Sequence, residues 1–417
     1  MSEIKPSHQY QYLIIGGGVA GTTAAEALRK RDPVGTIAIV TDEPYRLYSR
    51  VLLSKPTFLT GEQHLDSAWL KTEEWYRENK IDLFVAMSAT ELNPEAKVVM
   101  LSNGDIFGYE KLLLATGTHS RPWYVPGKDK HGIHNLRTLD DAKKIVDDLH
   151  AGKKHAVMIG SACVTYEVAD ILCSKGIEVT EVMREKYFWE PTLSKEEAEI
   201  TEKRLVERGV TLIPQMEVTE ILGDDAVTGV VLKDGRTISC DMVFAFIGIV
   251  LPLEWLTSSG IKVERGIVTN EYLETSIPDV WAAGDCARFR DVILDDMIMA
   301  GNWMSAVKQG ETAAANMAGE KKQFELVSFH SSHGFGDMIS FAGDSRMRPD
   351  REYIMRGSAE ERKLGRIVLR GNHIVGATMV NRTPELATLV KLIAARTDVS
   401  AKKAELADPA FDLKTLL

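Results

Sequence analysis

Apolar positions fall in short runs separated by polar stretches, and the period of these runs changes along the chain. Residues 10–15, "YQYLII", alternate and then become continuously apolar, which predicts a strand. "GGGVAG" interrupts the run and opens a helical pattern over 22–30. A second apolar run at 36–40 ends in Asp42-Glu43, so the segment reads as a βαβ unit of about thirty residues. A long loop, "EPYRLYSRVLLSKPTFLTG", precedes a Trp- and Glu-rich helix predicted at 67–79. Strands predicted near 83–86, 97–101 and 111–115 lead to "ATGTHSRPWYVPG", whose Gly and Pro mark a crossing between domains.

The pattern then repeats. A strand at 156–159 runs into "GSACVTYEVAD", a helix ending near Lys175 and a strand at 178–183. A helix at 195–208, a strand at 211–213, a hairpin around "LKDGRT" and a strand at 242–249 complete this block. "VWAAGDCA" begins a return to the first domain, and "GNWMSAVKQGETAAANMAG" reads as a helix. Beyond residue 325 short strands alternate with one helix, 383–396. The fold class is therefore α/β: two Rossmann-like, three-layer ββα nucleotide-binding domains plus a C-terminal α+β domain. The expected boundaries are 1–120 and 251–325 for the first nucleotide-binding domain, 121–250 for the second and 326–417 for the last. Two βαβ units in one chain point to two nucleotide sites.

Length and charge narrow the function. A chain of 417 residues exceeds one ordinary core. Its 60 acidic against 50 basic residues give a formal charge of −10, which argues against a general nucleic-acid binder. The start carries no charged-then-apolar leader, and the longest apolar run, "MVFAFIGIVLPLEWL", has ten residues before Pro252, too few to span a bilayer. A cytoplasmic protein without a membrane span is expected. Cys163, Cys173, Cys240 and Cys286 lack CxxC spacing, so a disulfide scaffold, a zinc site or a redox dithiol is not expected. His330 and His333 have no carboxylate at metal-ligand spacing, and no metal is expected.

Candidate chemistry starts at "YLIIGGGVAG", where Gly16, Gly18 and Gly21 stand in GxGxxG register between strand and helix. The first makes the tight turn, the second admits a pyrophosphate to the backbone, and the third lets helix pack on strand. The pyrophosphate rests on the helix N-terminus, where free N–H groups and the dipole favour anions. An acidic residue roughly 20–25 positions on should bind a ribose hydroxyl. Asp42 lies 42 − 16 = 26 positions after the first glycine and Glu43 follows; spacing does not decide between them, and Glu43 is preferred.

Three motifs in order, "IIGGGVAG", "LLLATGTHSRP" and "VWAAGDCA", resemble those of the FAD-dependent pyridine-nucleotide oxidoreductases, in the branch of ferredoxin, rubredoxin and putidaredoxin reductases. The FAD-binding region of assimilatory nitrite reductases and apoptosis-inducing factor are relatives of that branch. The resemblance covers roughly residues 10–325 and implies FAD at the first site, its isoalloxazine pointing toward the second βαβ domain. It assigns the cofactor to Gly16, Gly18, Gly21, Asp42 or Glu43, then to Ala115, Thr116 and Gly117 of the second motif and Gly284 and Asp285 of the third. "PYRLYSRVLLSK" resembles the family's "PYxRxxLSK", which implies Arg50 along the flavin and Lys55 near N5. A cation there stabilises the anionic reduced ring; the other reading of Lys55 is a solvated loop lysine. Trp303 matches a flavin-contacting tryptophan at a helix start, or is a core residue at a domain seam. Tyr48, Ser49 and Arg50 stand where disulfide-reducing members carry cysteine, so thiolate chemistry is excluded there. Cys163, Cys173 and Cys286 read as packing residues.

Against the family's "VIGGGFIGLEVA", the second loop keeps Gly160 but has Ala162 and Thr165 at the other glycine positions. The acid at the end of the next strand is replaced by Met183, with Arg184 beside it. Either the site takes a pyridine nucleotide, with Arg184 favouring a 2′-phosphate, or nicotinamide binding is lost. Glu167 matches the family glutamate that pairs with the loop lysine, so a Lys55–Glu167 pair across the domain seam is implied, ordering the nicotinamide face. Its alternative is a purely structural ion pair. The expected function is an FAD-dependent NAD(P)H oxidoreductase passing electrons to a small ferredoxin- or rubredoxin-type protein. The alternatives are an FAD-containing electron-transfer subunit with a vestigial NAD(P) site and a peroxide-forming oxidase. In relatives the C-terminal domain covers the flavin and often makes dimer contacts, so a homodimer is one expectation and Phe335 is expected near the flavin's exposed side. Arg346, Arg348, Arg351 and Arg356 either steer an acidic redox protein or form a solvated strand and turn, the second being preferred.

Overall fold

A computed structural model describes residues 5–417, which fold as two compact units. The first comprises the chain through Ser49 with Asp66–His119 and Val250–Ser328. Strand His8–Ile15 lies between Ile37–Val40 and Ile106–Leu114 and is parallel to both. Ile81–Phe84 extends the sheet in parallel on one side. Val98–Leu101 and Ala89–Asn93 continue it antiparallel on the other. The central strand ends in a buried run from Tyr12 to Ile15, because parallel strands are covered on both faces and need apolar groups on each. Val280–Ala282 pairs with Leu112–Leu114, and this returns "VWAAGDCA" to the sheet that holds the first glycine loop.

Local capping moves two predicted boundaries. The first helix spans Val19–Arg31 rather than 22–30, because Gly18 is its N-cap and the third glycine lies inside its first turn. The helix expected over 67–79 is only Glu73–Glu78, preceded by a separate 3-10 turn at Leu65–Ala68. The Thr72 side chain accepts the Trp75 N–H at 3.1 Å and starts the helix anew.

The second unit comprises Arg50–Leu65, Ser120–Ile249 and Phe329–Leu417. Its parallel sheet runs in the order Thr211–Ile213, Glu178–Val182, His155–Ile159, Met242–Ala245, Ile133–His134. The hairpin at "LKDGRT" pairs Gly229–Leu232 with Thr237–Ser239. The strand expected to reach residue 249 stops at Ala245, and Gly248 then takes φ +101°. The C-terminal residues form a five-stranded antiparallel sheet with helix Leu386–Ala394, which follows a 3-10 turn over Thr383–Glu385 that contains Pro384. Among the described residues no helix is long and apolar enough to cross a membrane.

Ion pairs fasten this C-terminal sheet to helix Lys195–Glu207, among them Arg362–Glu207 at the turn before strand Lys363–Arg370. Arg366 meets Glu197 at 3.1 Å with both side chains essentially unexposed, and Arg204 meets Asp337 at 3.2 Å. Burial pushes the Glu197 carboxyl up while Arg366 opposes it. Neither reading of the basic stretch fits all four arginines. The Arg351 and Arg356 side chains are 2% and 3% exposed, and Arg356 donates to Glu385 and to the Phe411 carbonyl. Phe335 is likewise buried, its ring 5.3 Å from that of Tyr166.

Glu181 stands between Met158 and Leu212 in the parallel sheet, wholly buried. Neither of its oxygens has a hydrogen-bond partner among the described residues. Burial, and then the charges of Glu202 and Glu185, push its carboxyl well above the ordinary range, so it is held protonated. A carboxyl whose folded pKa is raised costs stability as pH rises above the unfolded value near 4.5, until the folded pKa is passed. Glu181→Met is therefore expected to raise stability at pH 7 by about 1–3 kcal/mol, and by less at pH 4. Urea denaturation at both pH values checks this; a less stable variant at pH 7 means that Glu181 is charged and paired.

Candidate functional site

Within the first unit the three motifs meet at backbone level. Gly16 takes φ +120°, and a Cβ there would lie 2.1 Å from the Ala115 carbonyl oxygen, so only glycine lets the first turn touch the second motif. Gly21 is equally constrained, since its Cβ would stand 2.0 Å from the Gly16 oxygen. Gly18 faces open space. No side chain among the described residues caps the Val19–Arg31 helix, which leaves first-turn N–H groups for an anion. This cradle fits a dinucleotide pyrophosphate. Gly284, at φ +82°, lies with its Cβ position 3.1 Å from that of Ala20, which brings Gly284 and Asp285 to the same helix start. Ala115, Thr116 and Gly117 follow directly on strand Ile106–Leu114. Trp303 is the first residue of helix Trp303–Met317, whose cap Asn302 accepts the Ser305 N–H at 2.9 Å.

The ribose acid stays open between two neighbours. Asp42 lies 2.9 Å from His119 Nε2, and Glu43 accepts the Tyr48 hydroxyl at 2.6 Å. The motifs passed over Gln309 and Gly310. Gln309 Oε1 accepts the Gly284 N–H at 2.8 Å, and a Cβ at Gly310 would lie 2.4 Å from the Ala20 carbonyl oxygen. One signal was present in the sequence: an isolated glycine in an alanine-rich helix marks a close approach. Cys286 is buried beside them with its thiol pushed up by desolvation.

The second unit repeats the device with a different third position. A Cβ at Gly160, φ +99°, would meet the Phe246 oxygen at 2.3 Å, so this turn too needs glycine. Ala162 caps helix Cys163–Ser174 in extended conformation. Thr165 stands at the motif's third glycine position. It is fully buried, and its hydroxyl donates to the Gly160 carbonyl at 3.2 Å, so the wider spacing is filled by a hydrogen bond. Ser161 Oγ accepts the Trp189 N–H at 3.1 Å. Met183 is buried past the end of strand Glu178–Val182, while Arg184 is exposed. The Cys163 thiol is pushed up to about 11 by burial, with Glu167 adding to it, which disfavours thiolate chemistry.

Lys55 and Glu167 were expected to pair across a seam; both lie within the second unit, with Lys55 Nζ 2.9 Å from Glu167 Oε2. Arg50 belongs to the same unit and donates to the Arg137 carbonyl at 2.7 Å. The 3-10 turn Arg50–Ser54 and the short helix Pro56–Leu59, with proline at its start, hold Lys55 between them. The Ser54 hydroxyl donates to the same glutamate oxygen at 2.5 Å. The lysine is 36% exposed and the carboxylate 10%, so the cation is the reachable end of the pair.

Two glycine-turned nucleotide folds in one chain, the first joined by a returning Gly-Asp motif, define a protein with two nucleotide-binding modules. The pyridine nucleotide-disulphide oxidoreductase model matches residues 10–314, and a reductase C-terminal model matches 332–417. The chain belongs to the pyridine nucleotide-disulphide oxidoreductase family. It is 31% identical over 394 residues to nitrite reductase [NAD(P)H] of Bacillus subtilis, covering 94% of this chain but 48%, about half, of that protein. It is 29% identical to rhodocoxin reductase of Rhodococcus erythropolis, covering 96% of this chain and 93% of the relative. The crystal structure of the covalent putidaredoxin reductase–putidaredoxin complex superposes with a TM-score of 0.90 at 27% identity, over 99% of this chain and 98% of that one.

The two third positions respond to exchange through different losses. Gly21→Ala is expected to cost about 1–3 kcal/mol through overpacking. Thr165→Gly, which restores the motif, is expected to cost a similar 1–2 kcal/mol by losing a buried hydrogen bond and helix propensity. Denaturant unfolding of both variants checks this; a stabilised Thr165→Gly would refute the account of Thr165.

Proposed function

We propose that the protein is an FAD-dependent NAD(P)H oxidoreductase that passes electrons from a pyridine nucleotide to a small ferredoxin- or rubredoxin-type protein. The observation that carries this reading is the backbone convergence of Gly16, Ala115 and Gly284 on one helix start, a cradle that fits a dinucleotide pyrophosphate. FAD, when bound, supplies the conversion between two-electron and one-electron transfer. Gly16, Gly18, Gly21, Ala115, Thr116, Gly117, Gly284 and Asp285 hold it by backbone and carboxylate contacts, Asp42 or Glu43 takes the ribose, and Arg50 and Trp303 complete the binding set. Gly160 and Arg184 receive the pyridine nucleotide. Lys55, oriented by Glu167, would support the reduced flavin. No side-chain acid or base is required for hydride transfer; the chain's work is placement and electrostatics. The four cysteines are unpaired thiols, which suits a reducing cytoplasm. An isolated small redox protein is the acceptor supported by the named relatives, rhodocoxin reductase and the putidaredoxin reductase complex.

Anaerobic titration of the yellow protein tests the reading. NADH or NADPH at micromolar concentration is expected to bleach the flavin band, and a ferredoxin or rubredoxin should then be reduced in turn. Arg184→Ala is expected to weaken NADPH about tenfold and NADH far less, as loss of a charged hydrogen bond requires. Bleaching by dithionite alone would instead mean an electron-transfer subunit with a vestigial second site.

A further inference from the structure

Glu167 is held by more than Lys55. Its Oε2 accepts from Ser54 and Lys55, while Oε1 accepts the Ser332 hydroxyl at 3.3 Å. Ser332 lies on strand Phe329–Gly334 at the start of the region matched by the C-terminal model, and is 1% exposed. Helix Cys163–Ser174 and that strand come together because of Gly334. A Cβ there would stand 2.8 Å from Tyr166 Cδ1 and 3.1 Å from the Tyr166 carbonyl oxygen. Glycine two residues from Ser332 therefore lets the strand lie against the helix turn that carries Glu167.

We propose that Ser332 is a positioning residue: the C-terminal domain fixes the Glu167 carboxylate through it, and thereby fixes Lys55. Both oxygens of a carboxylate that is 10% exposed are committed, one to Ser54 and Lys55 and the other to Ser332. Removing the Ser332 hydroxyl leaves Oε1 short of its donor in a poorly solvated place. The carboxylate then turns to find another, and the ammonium turns with it. The inference rests on the role proposed above for the Lys55–Glu167 pair. It adds that the last domain takes part in the chemistry rather than only in packing.

The test uses the FAD-loaded enzyme. In stopped-flow reduction by whichever nucleotide reduces the wild type, Ser332→Ala is expected to slow the limiting rate about tenfold while nucleotide affinity changes by less than about threefold. Ser332→Thr, which keeps the hydroxyl, should recover most of the loss. In a Glu167→Gln background Ser332→Ala should add little, because the carboxylate it positions is gone. The flavin midpoint potential, measured with dithionite and a reference dye, needs no nucleotide; Ser332→Ala should move it in the same direction as Glu167→Gln. A variant that loses thermal stability while rate and potential stay at wild-type values overturns the proposal. Should neither nucleotide reduce the wild type, the proposed function fails on its own account and the potential alone decides about Ser332. A shared shift then supports the positioning role, and an unmoved potential overturns it. If Ser332→Ala does not fold, Ser332→Cys keeps the size, exchanges the hydroxyl for a weak donor, and carries the same expectations.

Discussion

The contact between Gly16 and the Ala115 carbonyl is the constraint on which the first unit depends. It puts two main chains closer than any side chain allows, and it is the reason a glycine at φ +120° ends the central strand. Once that contact exists, the strand ending at Leu114 and the helix starting at Val19 have fixed relative positions. The returning strand Val280–Ala282 then has one open edge to join, beside Leu112–Leu114, and it delivers Gly284 to Ala20. Gly310 adds a second close approach to the same residue from helix Trp303–Met317. The approaches to this helix start are mostly of backbone to backbone. Such an arrangement suits a polyanion, because N–H groups donate without the entropy cost of ordering long side chains.

The second unit shows how far this plan can drift without losing its geometry. Gly160 keeps the tight turn because the Phe246 oxygen blocks anything larger, so this position has no freedom. The third position does have freedom. Its constraint is the distance between helix and loop, and Thr165 fills a greater distance with a hydrogen bond to the Gly160 carbonyl, the counterpart of the Gly16 carbonyl that a Cβ at Gly21 would strike. A missing third glycine is thus weak evidence against a nucleotide fold, whereas a missing first glycine would be strong evidence. Met183 in place of the acid bears on which nucleotide is chosen, since a buried thioether neither attracts a ribose hydroxyl nor repels a phosphate.

The sequence disclosed the elements whose cause is local. The central strands were legible because a short apolar run bounded by glycine suits a buried strand and little else, and the "LKDGRT" hairpin was legible because its turn chemistry is specific. Boundaries moved where one side chain decides them, as Thr72 does for Glu73–Glu78. The first cradle was legible as a set of motifs. Gln309 was hidden, because a glutamine in a helix announces nothing until Gly284 is seen to donate to it. Ser332 was hidden for the same reason at longer range: 165 positions separate it from Glu167, and no periodicity connects a C-terminal strand to the second loop helix. The arginines of "SRMRPDREYIMRG" misled in the other direction. A basic run reads as surface, yet Arg356 spends its donors on carbonyls of the last dozen residues and on Glu385.

These observations give the charges of the second unit a common logic. Arg356, Arg366 and Glu167 are each buried, or nearly so, with partners drawn from distant segments; such burial is costly unless donors and acceptors are paired, and among the described residues only Nη1 of Arg366 is left over in these three side chains. Two of the three lie within the C-terminal sheet and secure it, one to the chain terminus and the other to helix Lys195–Glu207. Glu167 differs because its partner Lys55 remains 36% exposed. Arg204 over Asp337, 23% against 5% exposed, shows that a structural pair can also leave its cation partly in solvent, so exposure alone does not assign Lys55 a role. Under the role proposed for the pair, the Glu167 carboxylate holds the ammonium in one orientation while its outer face stays free for a negative charge. On the same proposal, the Ser332 hydroxyl holds the carboxylate at Oε1, the oxygen remote from the lysine.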